Sequence, residues 1–267
     1  MSSVVASLTD PWNPAQYDKF RREREQPFFD LLAMVRPGAG MHVVDLGCGT
    51  GALTRMLRER LQARSTLGLD RSARMLDQAR RSALPTGLRF EVGDIQSFAA
   101  CDTYDLIVSN AALHWISDHN TLIPRLAAAL KPGGQLAFQV PASQDEPSHT
   151  VAEELASVEP FASAFADWRL PQPVLGPAAY ARLLYRTGFL EPSVRLIVYP
   201  HVLSGPEEVV EWMKGTLLTE YERHLPPELF PRFLSAYRER LLGRLEQMRP
   251  FFFPYKRILC WGQKGSG

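Results

Sequence analysis

Two acids and a glycine-rich turn mark where this chain can do chemistry. In Val43-Val44-Asp45-Leu46-Gly47-Cys48-Gly49-Thr50-Gly51, a β-branched run meets an acid and then a run of glycines. Ala52-Leu53-Thr54-Arg55-Met56-Leu57-Arg58 follows and reads as a helix. A strand, a tight turn and a helix N-terminus in this order make a nucleotide-binding unit. Glycine lets the backbone bend sharply and approach a ligand closely. Gly47, Gly49 and Ala52 fit a loose G-x-G-x-x-G/A pattern, which alone suggests a dinucleotide. Asp45 argues otherwise, because a carboxylate ahead of the turn suits a neighbouring pyrophosphate poorly and the turn holds no compensating cation. It suits a ligand with an ammonium group and no phosphate. Cys48 reads as a small residue in a tight place rather than a nucleophile.

A second acid, Asp70, ends the run Thr66-Leu67-Gly68-Leu69-Asp70. It stands about 20 residues beyond the turn, the spacing at which a strand-end carboxylate can accept both ribose hydroxyls. It supports a nucleoside without choosing which one. A third acid, Asp94, follows the strand-like Leu88-Arg89-Phe90-Glu91-Val92, where it can equally cap a turn. The apolar run Asp105-Leu106-Ile107-Val108-Ser109-Asn110 opens onto Ala111-Ala112-Leu113-His114-Trp115-Ile116. The tip of that strand faces the same crevice as the glycine turn. The six histidines show no H-E-x-x-H spacing and no pairing with cysteine, so no metal site is expected.

These residues need a scaffold, and the hydrophobic pattern describes one. Strands at about Met41–Asp45, Thr66–Asp70, Leu88–Val92, Tyr104–Asn110 and Gln135–Val140 alternate with helices. The helices run to about Arg60, from Ser72 to Ser82, and from Thr121 to Leu130, where Lys131-Pro132-Gly133-Gly134 stops the last. This rhythm predicts a doubly wound, mostly parallel α/β sheet. Before it, Ala15 to about Val35 reads as helical, with Pro27 kinking it or starting a second helix. After Pro141 the rhythm breaks. Glu146 to about Phe165, Ala178–Thr187 and residues 206–248 read as helical, the last broken at Pro226-Pro227 and Pro231. Val194–Tyr199 and Tyr255–Trp261 complete seven strands. The expected organisation is a helical segment over 1–40, a nucleotide-binding core over 41–141, a helical cap over 142–193 and 204–250, and last sheet strands over 194–203 and 254–264.

Composition excludes several classes. The 267 residues are 45% hydrophobic and 22% charged, with a net charge of +1. That describes a globular chain with no electrostatic call for nucleic acid or an anionic membrane. The N-terminus lacks the basic start and long apolar core of a signal peptide, and no apolar run approaches a membrane span. The three cysteines are far apart and odd in number, so no disulfide framework is expected. A reducing cytoplasm is the expected compartment, and the expected partner is a small molecule.

The wording D-L-G-C-G-T-G at Asp45–Gly51 and L-K-P-G-G-x-L at Leu130–Leu136 resembles the class I S-adenosylmethionine (SAM) methyltransferases. The rest resembles one subfamily, the trans-aconitate 2-methyltransferases. The matching pieces are Asp10-Pro11-Trp12-Asn13-Pro14 with Tyr17 and Phe20, Ser109–Trp115, Asp118-His119, Gln139-Val140-Pro141, Glu146-Pro147-Ser148-His149, and Val210–Thr216. The resemblance implies a Rossmann-like seven-stranded fold. It also implies transfer of the SAM methyl to a carboxylate of trans-aconitate, giving a methyl ester and S-adenosylhomocysteine. It places the turn at Asp45, Gly47, Gly49 and Gly51 behind the methionine part of SAM, and Asp70 with Arg71 at the ribose. Met75 falls beside the adenine, though core packing explains it equally. Asp94 and the Ile95 amide stand near the adenine amino group, and Asn110 completes the cofactor set. Trp12 and Tyr17 either pack locally or close over the cofactor.

A carboxylate is ionised at neutral pH, so its methylation needs position and exclusion of water rather than a base. A tricarboxylate needs cations or hydroxyls around it. The candidates are His114 and Trp115, directly after the fourth strand, then His149, Tyr180 and Tyr199, and finally Lys214, Tyr221 and Arg257. If His114 acts as a general base instead, the acceptor is a hydroxyl or phenol. The chain departs from the subfamily at Leu217-Leu218-Thr219, where Thr219 stands in place of an arginine. The alternatives are a methyltransferase for another small acid or hydroxyl, and a SAM-binding regulatory protein without turnover.

Overall fold

The computed structural model describes residues 21–266. The strands are β1 (His42–Leu46), β2 (Ser65–Asp70), β3 (Leu88–Val92), β4 (Tyr104–Asn110), β5 (Leu130–Pro141), β6 (Phe189–Leu203) and β7 (Phe251–Lys264). They form one sheet in the order β3-β2-β1-β4-β5-β7-β6. The first five pair in parallel, while β7 runs antiparallel to both β5 and β6. The helices of the core are α1 (Arg21–Leu32), α2 (Ala52–Leu61), α3 (Ala73–Arg80) and α4 (His119–Ala129). Those that follow β5 are α5 (Pro147–Ala156), α6 (Phe161–Phe165), α7 (Pro177–Arg186), α8 (Glu207–Lys214), α9 (Leu217–His224) and α10 (Phe230–Leu242).

The unbroken apolar run of β4 is explained by burial on both faces. Leu106 and Val108 pack with Phe28 and Leu31 of α1 and Leu57 of α2. Ile107, between them, points the other way, into Leu122, Ile123 and Leu126 of α4 and Tyr180 of α7. Helices therefore cover both sides of the sheet, as a doubly wound fold requires.

A third apolar cluster forms the cap. Val151 and Leu155 of α5, Phe161 and Phe165 of α6, Trp212 of α8, Tyr221 of α9 and Phe233 of α10 close around Phe251, Phe253 and Tyr255 of β7. The β6–β7 ribbon is thus part sheet and part cap, with Leu203 opposite Phe251 at the outer end and Phe189 opposite Lys264 at the other.

Several elements differ from the sequence reading. The expected helix from Glu146 to Phe165 is two, because Ser157–Pro160 interrupts it. The last helical block is three. Gly215 caps α8, and Pro231 lies in the first turn of α10, where its missing N–H costs nothing. Strands β6 and β7 are much longer than their apolar centres, because antiparallel pairing carries the backbone bonds past them. Helix α1 runs through Pro27 without a break. Among the described residues, no helix is long and apolar enough to cross a membrane.

One glycine of the turn is fixed by its backbone conformation and by packing. Gly51 has φ +73°, and a Cβ there would lie 2.5 Å from Phe90 Cζ and 2.9 Å from Ala79 Cβ. Gly51→Ala is therefore expected to destabilise the fold by about 1–3 kcal/mol, read as a lower denaturant midpoint. An unchanged midpoint would show that this helix–strand contact is slack.

Candidate active site

The site opens where the carboxyl ends of β1 and β4 part. Two adjoining hollows lie there. Gly47 and Gly49, Asp70, Met75, Asp94, Ile95 and Ile116 line the first. The second, of about 210 Å³, is bounded by Pro141 at the end of β5 and Ser143 after it, by the 170–174 strap, and by side chains of α5, α8, α9 and β7. Arg71, Asn110, Ala111 and Trp115 line both. A ligand in one hollow therefore meets a ligand in the other across the tip of β4.

Asp70 organises the first hollow. Its Oδ2 accepts from the Gly49 amide at 2.8 Å, and its Oδ1 accepts from the Ser72 amide at 2.9 Å. One carboxylate thus ties the glycine turn to the start of α3, where Ser72 Oγ in turn accepts from Met75 N at 3.1 Å. Gly49 has φ +54°, and a Cβ there would meet nothing within 4 Å. The wall therefore gives space at Gly49, while its neighbour Gly47 is pressed against Ala112. With Asp70, Asp94 and, among the described residues, a single guanidinium in its lining, the hollow suits a nucleoside carrying a positive charge rather than a pyrophosphate. Asp94 Oδ1 accepts from the Gln96 amide at 2.8 Å, so it caps a turn as well as lining the hollow.

Two of the expected cofactor residues lie behind this wall. Gly51 lines neither hollow, because Phe90 and Ala79 fill the space beside it. Asp45 is buried beneath the turn, where its Oδ2 accepts from Thr54 Oγ1 at 2.6 Å. Burial raises its pKa to about 6 against the pull of the Thr54 bond, and the Asp70 charge adds to the rise. Trp12 and Tyr17 lie outside the described residues.

At the boundary the chain is strained. Ala111, directly after β4, has φ +53°, a conformation that side-chain-bearing residues rarely adopt. Its N–H donates to Gln139 O at 3.0 Å. A side-chain bridge then crosses three strands. Arg257 Nη1 donates to Gln139 Oε1 at 2.9 Å, and Gln139 Nε2 donates to Asn110 Oδ1 at 2.7 Å. With that oxygen engaged, Asn110 presents its amide nitrogen as a donor.

His114 and Trp115 sit on the 3₁₀ turn Leu113–Trp115 and reach the second hollow with His149 and Arg257. The His114 pKa is held down to about 3, first by burial and then by the charges of Arg257, His119 and His149. Burial also lowers His149, to about 4. Both imidazoles are therefore neutral at physiological pH, and among the described residues the cations of the hollow are Arg71, Arg223 and Arg257.

Four expected substrate residues are elsewhere. Tyr180 is fully buried under the turn, and its hydroxyl donates to His119 Nδ1 at 2.6 Å. His119 Nε2 then donates to Leu113 O at 2.9 Å. The pair holds up the turn that carries His114 instead of facing a ligand. Tyr199 donates to Asp30 Oδ2 at 2.7 Å, locking β6 to α1. Lys214 pairs with Glu211 at 2.7 Å. Tyr221 stacks on Phe233 in the cap interior, 5.2 Å between centroids. Helix periodicity explains the last case, since Thr216, Leu217, Glu220 and Arg223 form the face toward the hollow. Tyr221 turns inward, and Thr219 donates to Thr216 O at 2.5 Å. Gln139, Glu220 and Arg223 were missed as candidates. The i, i+4, i+7 spacing from Thr216 was the signal that could have found the last two.

Residues 43–134 match a family model for a methyltransferase domain. A trans-aconitate 2-methyltransferase of Deinococcus radiodurans is 42% identical, covering 93% of this chain and 96% of that protein. Another, from Variovorax paradoxus, is 37% identical, covering 94% and 95%. Among solved structures, the YcgJ protein of Bacillus subtilis superposes with a TM-score of 0.58 at 16% identity, covering 91% of this chain and all of that one (100%). An S-adenosylmethionine-dependent methyltransferase from Mesorhizobium loti gives 0.50 at 22% identity, covering 89% and 97%. At these identities the likeness to the solved structures is one of fold.

The His119–Tyr180 support is directly testable. Tyr180→Phe leaves a buried ring nitrogen unsatisfied and should cost about 1–3 kcal/mol, together with a fall in kcat as the 113–115 turn loosens. Unchanged stability and kcat would mean the turn holds its shape without the pair.

Proposed function

Because the chain belongs to the trans-aconitate 2-methyltransferase family, we propose that it methylates a carboxylate of trans-aconitate. The enzyme is a SAM-dependent methyltransferase with the seven-stranded fold of its class. The observation that carries the reading is the shared wall. Arg71, Asn110, Ala111 and Trp115 border both hollows, so a donor in the first and an acceptor in the second are neighbours.

SAM, when bound, supplies a methyl group already activated on a sulfonium. In this reading Asp70 receives the ribose hydroxyls. Gly49 leaves room for the amino-acid portion and Gly47 lets the turn pass close to Ala112, with the Asp45 carboxylate behind them. Met75 and Ile95 flank the adenine beside Asp94. Asn110 and Trp115 stand where the two ligands meet and keep water out of the gap. Arg257 and Arg71 hold the acid by its charge, the guanidinium being the best fit for a bidentate carboxylate. The product is a methyl ester that carries one negative charge fewer than the substrate.

The state of His114 supports an anionic acceptor. A hydroxyl acceptor needs a base to take its proton. An imidazole held near pKa 3 by burial and by a neighbouring guanidinium is a weak base. A carboxylate arrives already ionised and needs none.

Two outcomes follow. Labelled SAM should transfer its methyl to trans-aconitate, and Arg257→Gln should raise the KM for the acid by about 10–100-fold with SAM binding retained. Turnover of a hydroxyl compound but no acid would overturn the reading. The pH–rate profile should be flat between pH 7 and 8, because His114 and His149 stay uncharged above their depressed pKa values of about 3 and about 4 and Asp45, with a pKa of about 6, is ionised there. A limb in that window that disappears in His114→Gln would identify His114 as the base.

A further inference from the structure

We propose that Arg223, presented by the cap helix α9 and held by Glu220, recognises a further carboxylate of the acceptor, beyond those met by the sheet arginines, and so selects tricarboxylates over dicarboxylates. The inference rests on the acid-methylating reading above and says how this chain distinguishes among acids.

Helix α9 turns one face to the second hollow, and Arg223 stands on it one turn beyond Glu220. The Arg223 Nη1 donates to Glu220 Oε1 at 2.9 Å. The pair is partly shielded, with side-chain exposures of 31% and 16%. An i,i+3 ion pair on an open helix face contributes little to stability. Here it lies on the wall of a cavity, where its consequence is geometric. A guanidinium carries five N–H donors in a rigid fork, and one bond to Glu220 leaves donors for a ligand.

The position of the pair matters as much as its charge. Arg71 follows β2 and Arg257 belongs to β7, so both belong to the sheet. Arg223 comes from the cap. An acid held by sheet arginines beside the tip of β4 must extend its remaining anionic groups away from the donor hollow, and α9 is one of the walls they can meet. No other residue of that wall offers a full positive charge. Among the described residues of that wall, Thr216 is neutral, Leu217 is apolar and Glu220 is an acid. Glu220 has a double role. It fixes the arginine against the wall, and its own negative charge opposes an incoming carboxylate. Its removal should therefore strengthen binding of the more highly charged acids, through loss of the like-charge repulsion.

The test is steady-state methylation of trans-aconitate and of the dicarboxylate fumarate by the whole enzyme. The variants are Arg223→Gln, Arg223→Lys and Glu220→Gln, with Arg232→Gln, an exposed arginine on α10, as the control for bulk charge. Arg223→Gln should raise the KM for trans-aconitate about tenfold and leave kcat within about twofold. It should raise the KM for fumarate less, so that the preference between the two acids collapses. Arg223→Lys should recover part of the loss, keeping the charge without the fork. Glu220→Gln should lower the KM for trans-aconitate by about two- to fivefold. A purely structural ion pair would give equal changes in Arg223→Gln and Glu220→Gln and no shift in preference, and that result would overturn the proposal. So would a tricarboxylate KM that moves no further than in Arg232→Gln. Either result leaves trans-aconitate methylation standing. A wild-type enzyme that methylates no acid overturns the proposal and the reading beneath it together.

Discussion

Between β1 and β4 the sheet changes the direction in which it grows. From β1 it extends one way through β2 to β3, and from β4 it extends the other way through β5 to β7 and β6. The chain leaving β1 and the chain leaving β4 must therefore diverge, and a crevice opens at their carboxyl ends. Everything chemical in this protein hangs on that divergence. The glycine turn borders the crevice on one side and the strained Ala111 corner on the other. Asp70 keeps the first border in place by accepting from the Gly49 and Ser72 amides together. The Arg257–Gln139–Asn110 bridge keeps the second, since each bond ties one strand to its neighbour. Both arrangements follow from the chain's own hydrogen bonds, so the two hollows are shaped before any ligand is considered.

The second half of the chain turns this nucleoside crevice into a site for an acid. Antiparallel β7 carries Arg257 into the sheet beside β5, and its outer end becomes the apolar floor on which the cap helices pack. Sheet and cap thus share one strand, which fixes the distance between the cations each contributes. Burial keeps the two histidines of the hollow uncharged, so among the described residues its positive charge comes from arginines. Such a hollow keeps its charge across the physiological range and attracts an ionised acceptor without needing to activate it.

Much of this was legible in the sequence. The alternation of β-branched runs with helices fixed the fold class, because a strand buried on both faces must be apolar throughout. The spacing of Asp70 from the turn led to a strand tip that lines the first hollow. The cap was harder, and Tyr180, Tyr199 and Tyr221 show why. A tyrosine in a helix or strand reads the same whether its hydroxyl meets a ligand or a partner inside the protein. Here those partners are His119 and Asp30, from distant parts of the chain, and an aromatic cluster. Asp45 and Gly51 lie behind the wall of the hollow for a related reason. A turn has two sides, and only the fold shows which residues support it from behind. Arg223 was overlooked among many surface arginines, because its helix looked like any other solvated helix until its packing against α8 and β7 showed which face remained open.

The most direct measurement is a crystal structure of the enzyme with S-adenosylhomocysteine and trans-aconitate together. The account predicts the nucleoside against Asp70 and the glycine turn, with the acid across the Asn110–Trp115 boundary and a carboxylate within hydrogen-bond reach of Arg257. An acid bound away from Arg257, or on the far side of the cap from the nucleoside, would contradict it.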